Sequence, residues 1–72
     1  MKYIIKNILS NQYLRQGDRY FVYTNDIYYA RIFKSLVHAE SIRNKIIEHS
    51  WNPDKAQETY KIVGIEVKEI NI

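Results

Sequence analysis

Apolar and polar positions change rhythm along this chain, and the changes mark its elements. From Lys2 to Lys6 the residues read as a strand, with Tyr3 and Ile5 on one face, Ile4 on the other, and β-branched residues dominant. Asn7 to Asn11 is a turn-like break. Gln12 to Gln16 is a short second strand built on Tyr13 and Leu14, Gly17-Asp18 is a tight turn, and Arg19 to Thr24 is a third, aromatic and β-branched strand. Tyr13 to Tyr23 is therefore expected to form a hairpin. The period then becomes helical. Thr24 and Asp26 can cap a short helical turn over Asn25 to Ala30, Arg31 to Phe33 can be extended, and Ser35 can cap a main helix from Leu36 to about His49. Leu36, Ala39, Ile42, Ile46 and Ile47 form one apolar stripe on that helix, and Glu40, Ser41, Asn44, Lys45 and Glu48 cover the other side. Ser50 to Thr59 reads as a polar connection in which Asn52-Pro53-Asp54 stops the helix. Tyr60 to Ile70 reads as the last strand. Val63, Ile65 and Val67 share one of its faces, Tyr60 and Ile62 the other, and a bulge is expected near Val63-Gly64.

These elements specify a single domain over residues 1–72 of α+β class. Its small antiparallel sheet has three to four strands, with one main helix packed on one face, in the order β-β-β-short helix-α-β. One helix covers one face of such a sheet, so the other must be solvated or covered by a partner. At 72 residues the chain is near the lower limit for a self-supporting core.

The absence of cysteine rules out a disulfide scaffold and a thiolate zinc site, and favours a reducing cytoplasm as the compartment. The N-terminal apolar run is broken by Lys6 and Asn7, too early for a signal peptide, and no stretch approaches a membrane span, so no membrane partner is expected. Net charge is +3 and uneven: Met1 to Leu36 carries +4 and the remainder −1. A basic half suits an acidic partner.

Seven tyrosines, Tyr3, Tyr13, Tyr20, Tyr23, Tyr28, Tyr29 and Tyr60, lie with Lys2, Arg15, Arg19 and Arg31 interleaved among those of the N-terminal half. Such a set serves protein hot spots, where Tyr and Arg are enriched, or grips single-stranded nucleic acid by stacking and phosphate pairing. The sequence RYFVY lacks the glycine-aromatic pattern of an RNA-recognition strand. The candidate partner face is therefore Tyr13, Arg15, Arg19, Tyr20, Tyr28, Tyr29 and Arg31. Of Tyr28 and Tyr29, about 100° apart on a helical turn, one is expected to pack and the other to be exposed. Arg43 falls inside the apolar stripe. Its stem is expected along the core edge, with the charge at solvent or paired with Glu40 or a strand carboxylate. Trp51 is expected to seal the open end of the core against the last strand.

Enzyme chemistry finds no support. His38 and His49 are about 16 Å apart on the helix, too far to share a metal. Glu66 and Glu69 point to opposite faces of the last strand, Asp18 and Asp26 sit at turns, and two glycines make no phosphate loop. Neither a catalytic residue nor a cofactor is assigned.

The order of these signals resembles small proteins of bacteriophages and prophages. The residues that carry it are Lys2 to Asn7, Tyr13-Leu14, Tyr23-Thr24, Asp26-Ile27, Ala30, Phe33, Ser35, Ala39 and Tyr60 to Val67, nearly the whole chain. His38 stands where an acid usually follows the cap. The resemblance implies a non-enzymatic accessory protein, acting in the cytoplasm of a bacterial host by binding a host protein, including as an inhibitor of a defence system of the anti-CRISPR or anti-restriction type. The alternatives are weak nucleic-acid binding through a basic, tyrosine-rich sheet face, or a homo-oligomer that sequesters an anionic nucleotide with Arg15, Arg19 or Arg31.

Overall fold

A computed structural model describes residues 1–15, 17 and 21–66. Its elements are β1 (Lys2–Asn7), β2 (Gln12–Arg15), β3 (Val22–Thr24), a 3-10 turn (Ile27–Tyr29), α1 (Leu36–Glu48), α2 (Pro53–Thr59) and β4 (Tyr60–Ile65). The four strands form one antiparallel sheet in the order β3-β2-β1-β4. The α+β architecture with one main helix stands, with a second, short helix added.

The turn between β1 and β2 is set by two asparagines. Asn7 Oδ1 accepts from the N–H groups of Leu9 (3.0 Å) and Ser10 (3.1 Å). Asn11 adopts φ 59°, a left-handed conformation that asparagine tolerates better than most residues. The two strands then share only the pairs Asn7–Gln12 and Lys6–Tyr13 before they separate. The segment Ala30–Phe33 ties the separated ends together. Ala30 bridges Arg15, the Arg31 N–H donates to Leu14 O at 2.8 Å, and Phe33 and Tyr3 exchange two bonds of 2.8 Å. The extended backbone expected for Arg31 to Phe33 is thus a structural strap. Asp26 caps the 3-10 turn, its Oδ1 accepting from Tyr28 N–H at 2.9 Å.

Period-2 alternation together with the register divides the sheet into two faces. Tyr3, Ile5, Leu14, Tyr23, Tyr60 and Ile62 share the face under α1. Ile5, Leu14, Phe33, Ala39 and Ile46 are buried there, with Tyr3, Tyr23, Ile42, Tyr60 and Ile62 packed around them. Burial of each large apolar side chain in this cluster is worth about 1.5–3 kcal/mol. Ser35 caps α1 as its sequence position implies, and the His38 imidazole meets the Phe33 ring edge-on at 5.3 Å. Leu36, placed on the stripe by spacing, is exposed in the first turn.

Four sequence expectations change. Ser50 to Thr59 is not simply a polar connection: it contains α2. Asn52 caps that helix, accepting from Lys55 N–H at 3.2 Å, and Pro53 occupies its first turn, where a missing N–H costs nothing. The same Asn-Pro pair that reads as a stop is therefore a start. The bulge at Val63-Gly64 is absent, because β1 and β4 pair without interruption from Lys2–Ile65 to Asn7–Tyr60. Two strands are also shorter than expected: β4 ends at Ile65, with Glu66 outside it, and β3 begins at Val22, with Phe21 outside it. The turn at Asp18 and the segments Arg19–Tyr20 and Val67–Ile70 lie outside the described residues.

The fourth change is at Arg43. Among the described residues its guanidinium meets no carboxylate. Nε donates to Tyr60 O and Nη2 to Gln57 O, both at 2.7 Å. Both carbonyls lie where α2 hands over to β4, where helix carbonyls lack intrahelical partners. Arg43 therefore clamps α2 to α1 and to the sheet.

On the core face the Tyr23 and Tyr60 rings lie 6.1 Å apart. Burial, with the Tyr60 phenol as a close neighbour, pushes the Tyr23 phenol far above its ordinary value of 10.0. An unfolded chain releases that proton near pH 10 while the folded chain holds it, so stability is full below pH 10 and falls as pH rises above it. Tyr23→Phe should remove this part of the alkaline loss, read as a smaller drop in denaturation midpoint between neutral pH and pH 11 than the parent shows (~1 unit past the tyrosine value).

Candidate functional site

The strands carry an unusual charge distribution. Among the described residues, β1 to β4 contain no aspartate or glutamate, and their four cations are Lys2, Lys6, Arg15 and Lys61. Lys2 and Lys6 share a side of β1 by alternation. Lys61 is paired with Lys6 and joins that side. Tyr13 is also paired with Lys6, which places Arg15, two residues on, with the others. All four strand cations thus project from the face opposite α1. Asp26, Glu40, Glu48, Asp54 and Glu58 lie in the helices and connections, and Glu66 directly follows β4.

This face has an apolar floor. Ile4 is 1% exposed and lies outside the cluster under α1. Val63, paired with Ile4, and Ile65, paired with Lys2, are half-buried beside it. Tyr13 lies under the Lys6 ammonium, with Nζ 5.6 Å from the ring centroid, a cation–π contact that holds both side chains in place. Arg15 and Lys61 are exposed at the rim. An aromatic ring and aliphatic side chains ringed by cations can hold an anionic partner by charge and by contact area together.

The candidates named from sequence fall into separate groups. Tyr13 and Arg15 belong to this cationic face. Arg19 and Tyr20 lie outside the described residues. Tyr28 and Tyr29 sit on the 3-10 turn and are 92% and 67% exposed, so neither packs and the expected division between them fails. A 3-10 turn this short, anchored by its caps, has no need to bury either ring. Arg31 is half-buried with its guanidinium carbon 4.8 Å from the centroid of Phe33, a core residue, so part of its role is to cover the strap. Trp51 does not seal the core. It is fully exposed beyond the end of α1, because α2 and Arg43 already close that end.

Sequence reasoning missed Lys6 and Lys61 as members of the site and counted Lys2 only among the interleaved cations. The alternation Lys2-x-Ile4-x-Lys6 signals the first pair, but Lys61 joins them only once the β1–β4 register is known. No family model, curated protein or solved structure matches the chain. Among the described residues no helix is long and apolar enough to cross a membrane.

Proposed function

We propose that this chain is a non-enzymatic binding protein of the phage accessory kind, which docks the cationic face of its sheet onto an acidic surface of a host protein, a defence effector being the partner class its resemblance suggests. The supporting observation is the segregation of charge: every described strand cation lies on one face and no described strand residue is acidic. Opposed charge steers encounter and fixes register, while the apolar floor and Tyr13 supply contact area. Tagged protein should capture a host protein, and raising the salt should release it, since exposed charge pairs are screened beyond about 8 Å at physiological ionic strength. Capture that is indifferent to salt, or none, contradicts the proposal.

A second reading rests on Tyr13, whose ring lies among cations that could pair with phosphates while a base stacks on it. A gel shift with single- and double-stranded probes at low salt, or capture lost on nuclease treatment, would favour it. No shift at low salt, with capture surviving nuclease, would leave the protein-binding reading.

A further inference from the structure

The two edges of the sheet differ. β3 is three residues long, whereas β4 presents six residues with no proline and no bulge, two of the devices that blunt an edge, and carries one charged residue, Lys61. The hydrogen-bond pattern settles which of its backbone groups point outward. Ile8 N–H donates to Thr59 O at 3.0 Å, and Tyr3 bonds to Phe33 on the side of β1 away from β4. In an antiparallel ladder inward and outward residues alternate. Lys61, Val63 and Ile65 therefore bond to β1, and Tyr60, Ile62 and Gly64 turn their N–H and C=O groups outward. Tyr60 is already engaged, its N–H donating to Ala56 O and its carbonyl accepting from Arg43. Among the described residues, no backbone or side-chain group bonds to the outward groups of Ile62 and Gly64.

We infer that β4 pairs with β4 of a second copy, antiparallel about a two-fold axis at Val63, joining two sheets into one eight-stranded sheet. The register follows from what is engaged and what is not. With the axis at Val63, Ile62 lies opposite Gly64 of the second copy and the reverse, so both pairs exchange two bonds and the open groups of Ile62 and Gly64 are satisfied, while the engaged Tyr60 falls opposite Glu66, beyond the end of β4. An axis at Ile62 would pair Gly64 with Tyr60, whose groups are taken. An axis at Gly64 would set the Glu66 carboxylate against the apolar Ile62. On the outer face the chosen register places Val63 against Val63 of the second copy and the Lys61 stem beside its Ile65, extending the apolar floor while the charged ends stay outside. The cationic faces of the two copies then lie on one side of a single sheet.

Cysteine pairing reads this register directly, since the chain has no cysteine of its own. Val63 opposite itself is a non-hydrogen-bonded pair with Cα atoms about 4.5 Å apart, within disulfide reach. Under mild oxidation Val63→Cys should convert to a linked dimer, while Lys61→Cys and Ile65→Cys each stay monomeric alone and link to one another when mixed. The unmodified protein should sediment at twice the chain mass. Gly64→Pro, which removes an outward N–H that an edge strand can spare, should return that mass to one chain. A single-chain mass for the unmodified protein at its highest soluble concentration overturns the inference, as does Val63→Cys linking no faster than the two other variants. Mass is read without any partner, so failure here leaves the proposed binding function to its own test.

Discussion

Replacing Lys6, Arg15 and Lys61 together by glutamate should abolish partner capture while leaving the fold intact. Arg15 and Lys61 are exposed and Lys6 is half-buried on the face opposite α1, so none belongs to the cluster of Ile5, Leu14, Phe33, Ala39 and Ile46. Surface changes of this kind usually alter stability by about 0.5 kcal/mol or less each. The effect on binding is of another size. An acidic partner surface would meet three carboxylates in place of three cations, and opposed like charges cost several kcal/mol, on the order of a thousandfold in affinity. The cation–π contact between Lys6 and Tyr13 is lost as well, which loosens the ring that supplies contact area. Circular dichroism and thermal melting should match the parent, and capture should vanish. Retained capture by a folded variant would place the interface elsewhere, with the exposed Tyr28, Tyr29 and Trp51 the next surfaces to examine.

Arg43→Ala should be the most damaging single change outside the apolar cluster. It removes two 2.7 Å bonds from a charged donor to Tyr60 O and Gln57 O, and leaves the C-terminal carbonyls of α2 without those partners. Hydrogen bonds to charged groups contribute about 1.5–3 kcal/mol each, and the bond to Gln57 is solvent-exposed, so a loss of about 3 kcal/mol is expected. For a domain of this size that corresponds to a Tm lower by roughly 12–24 °C. Arg43→Lys should recover only a minor part, because one ammonium cannot reproduce the planar fork that reaches two carbonyls at once. Amide exchange should accelerate most across Pro53–Thr59. A variant that melts within about 3 °C of the parent (well under 1 kcal/mol) would show that α2 is held by other contacts.

Much of this fold is legible in the sequence, for reasons that also explain the gaps. β1, β2 and α1 announce themselves because each buries one face and so imposes a period on its residues. Ser35 and Asp26 are read correctly because capping is a local property. α2 leaves no period to find: it buries only Ala56 and Thr59, and its opening Asn52-Pro53 serves both as an end signal and as a start. Arg43 is visible as a misfit in the apolar stripe, but its partners are backbone carbonyls of an element the sequence does not reveal. Trp51 misleads because a large aromatic residue is ordinarily worth burying, and here the space is already closed. The candidate site divides in the same way. Tyr13 and Arg15 are named from sequence, yet the face they belong to emerges only when the pairings of Lys6 with Tyr13 and with Lys61 bring three strands into register.

Lysine footprinting of the partner-bound protein tests the cationic-face account most directly. An amine-selective acylating reagent reads every lysine in one experiment, and the described lysines fall into two groups: Lys2, Lys6 and Lys61 on the open sheet face, and Lys34, Lys45 and Lys55 on the helices and their connections. Binding should protect the first group and leave the second as reactive as in the unbound chain. Protection of Lys34, Lys45 and Lys55 with the sheet lysines unchanged would contradict it.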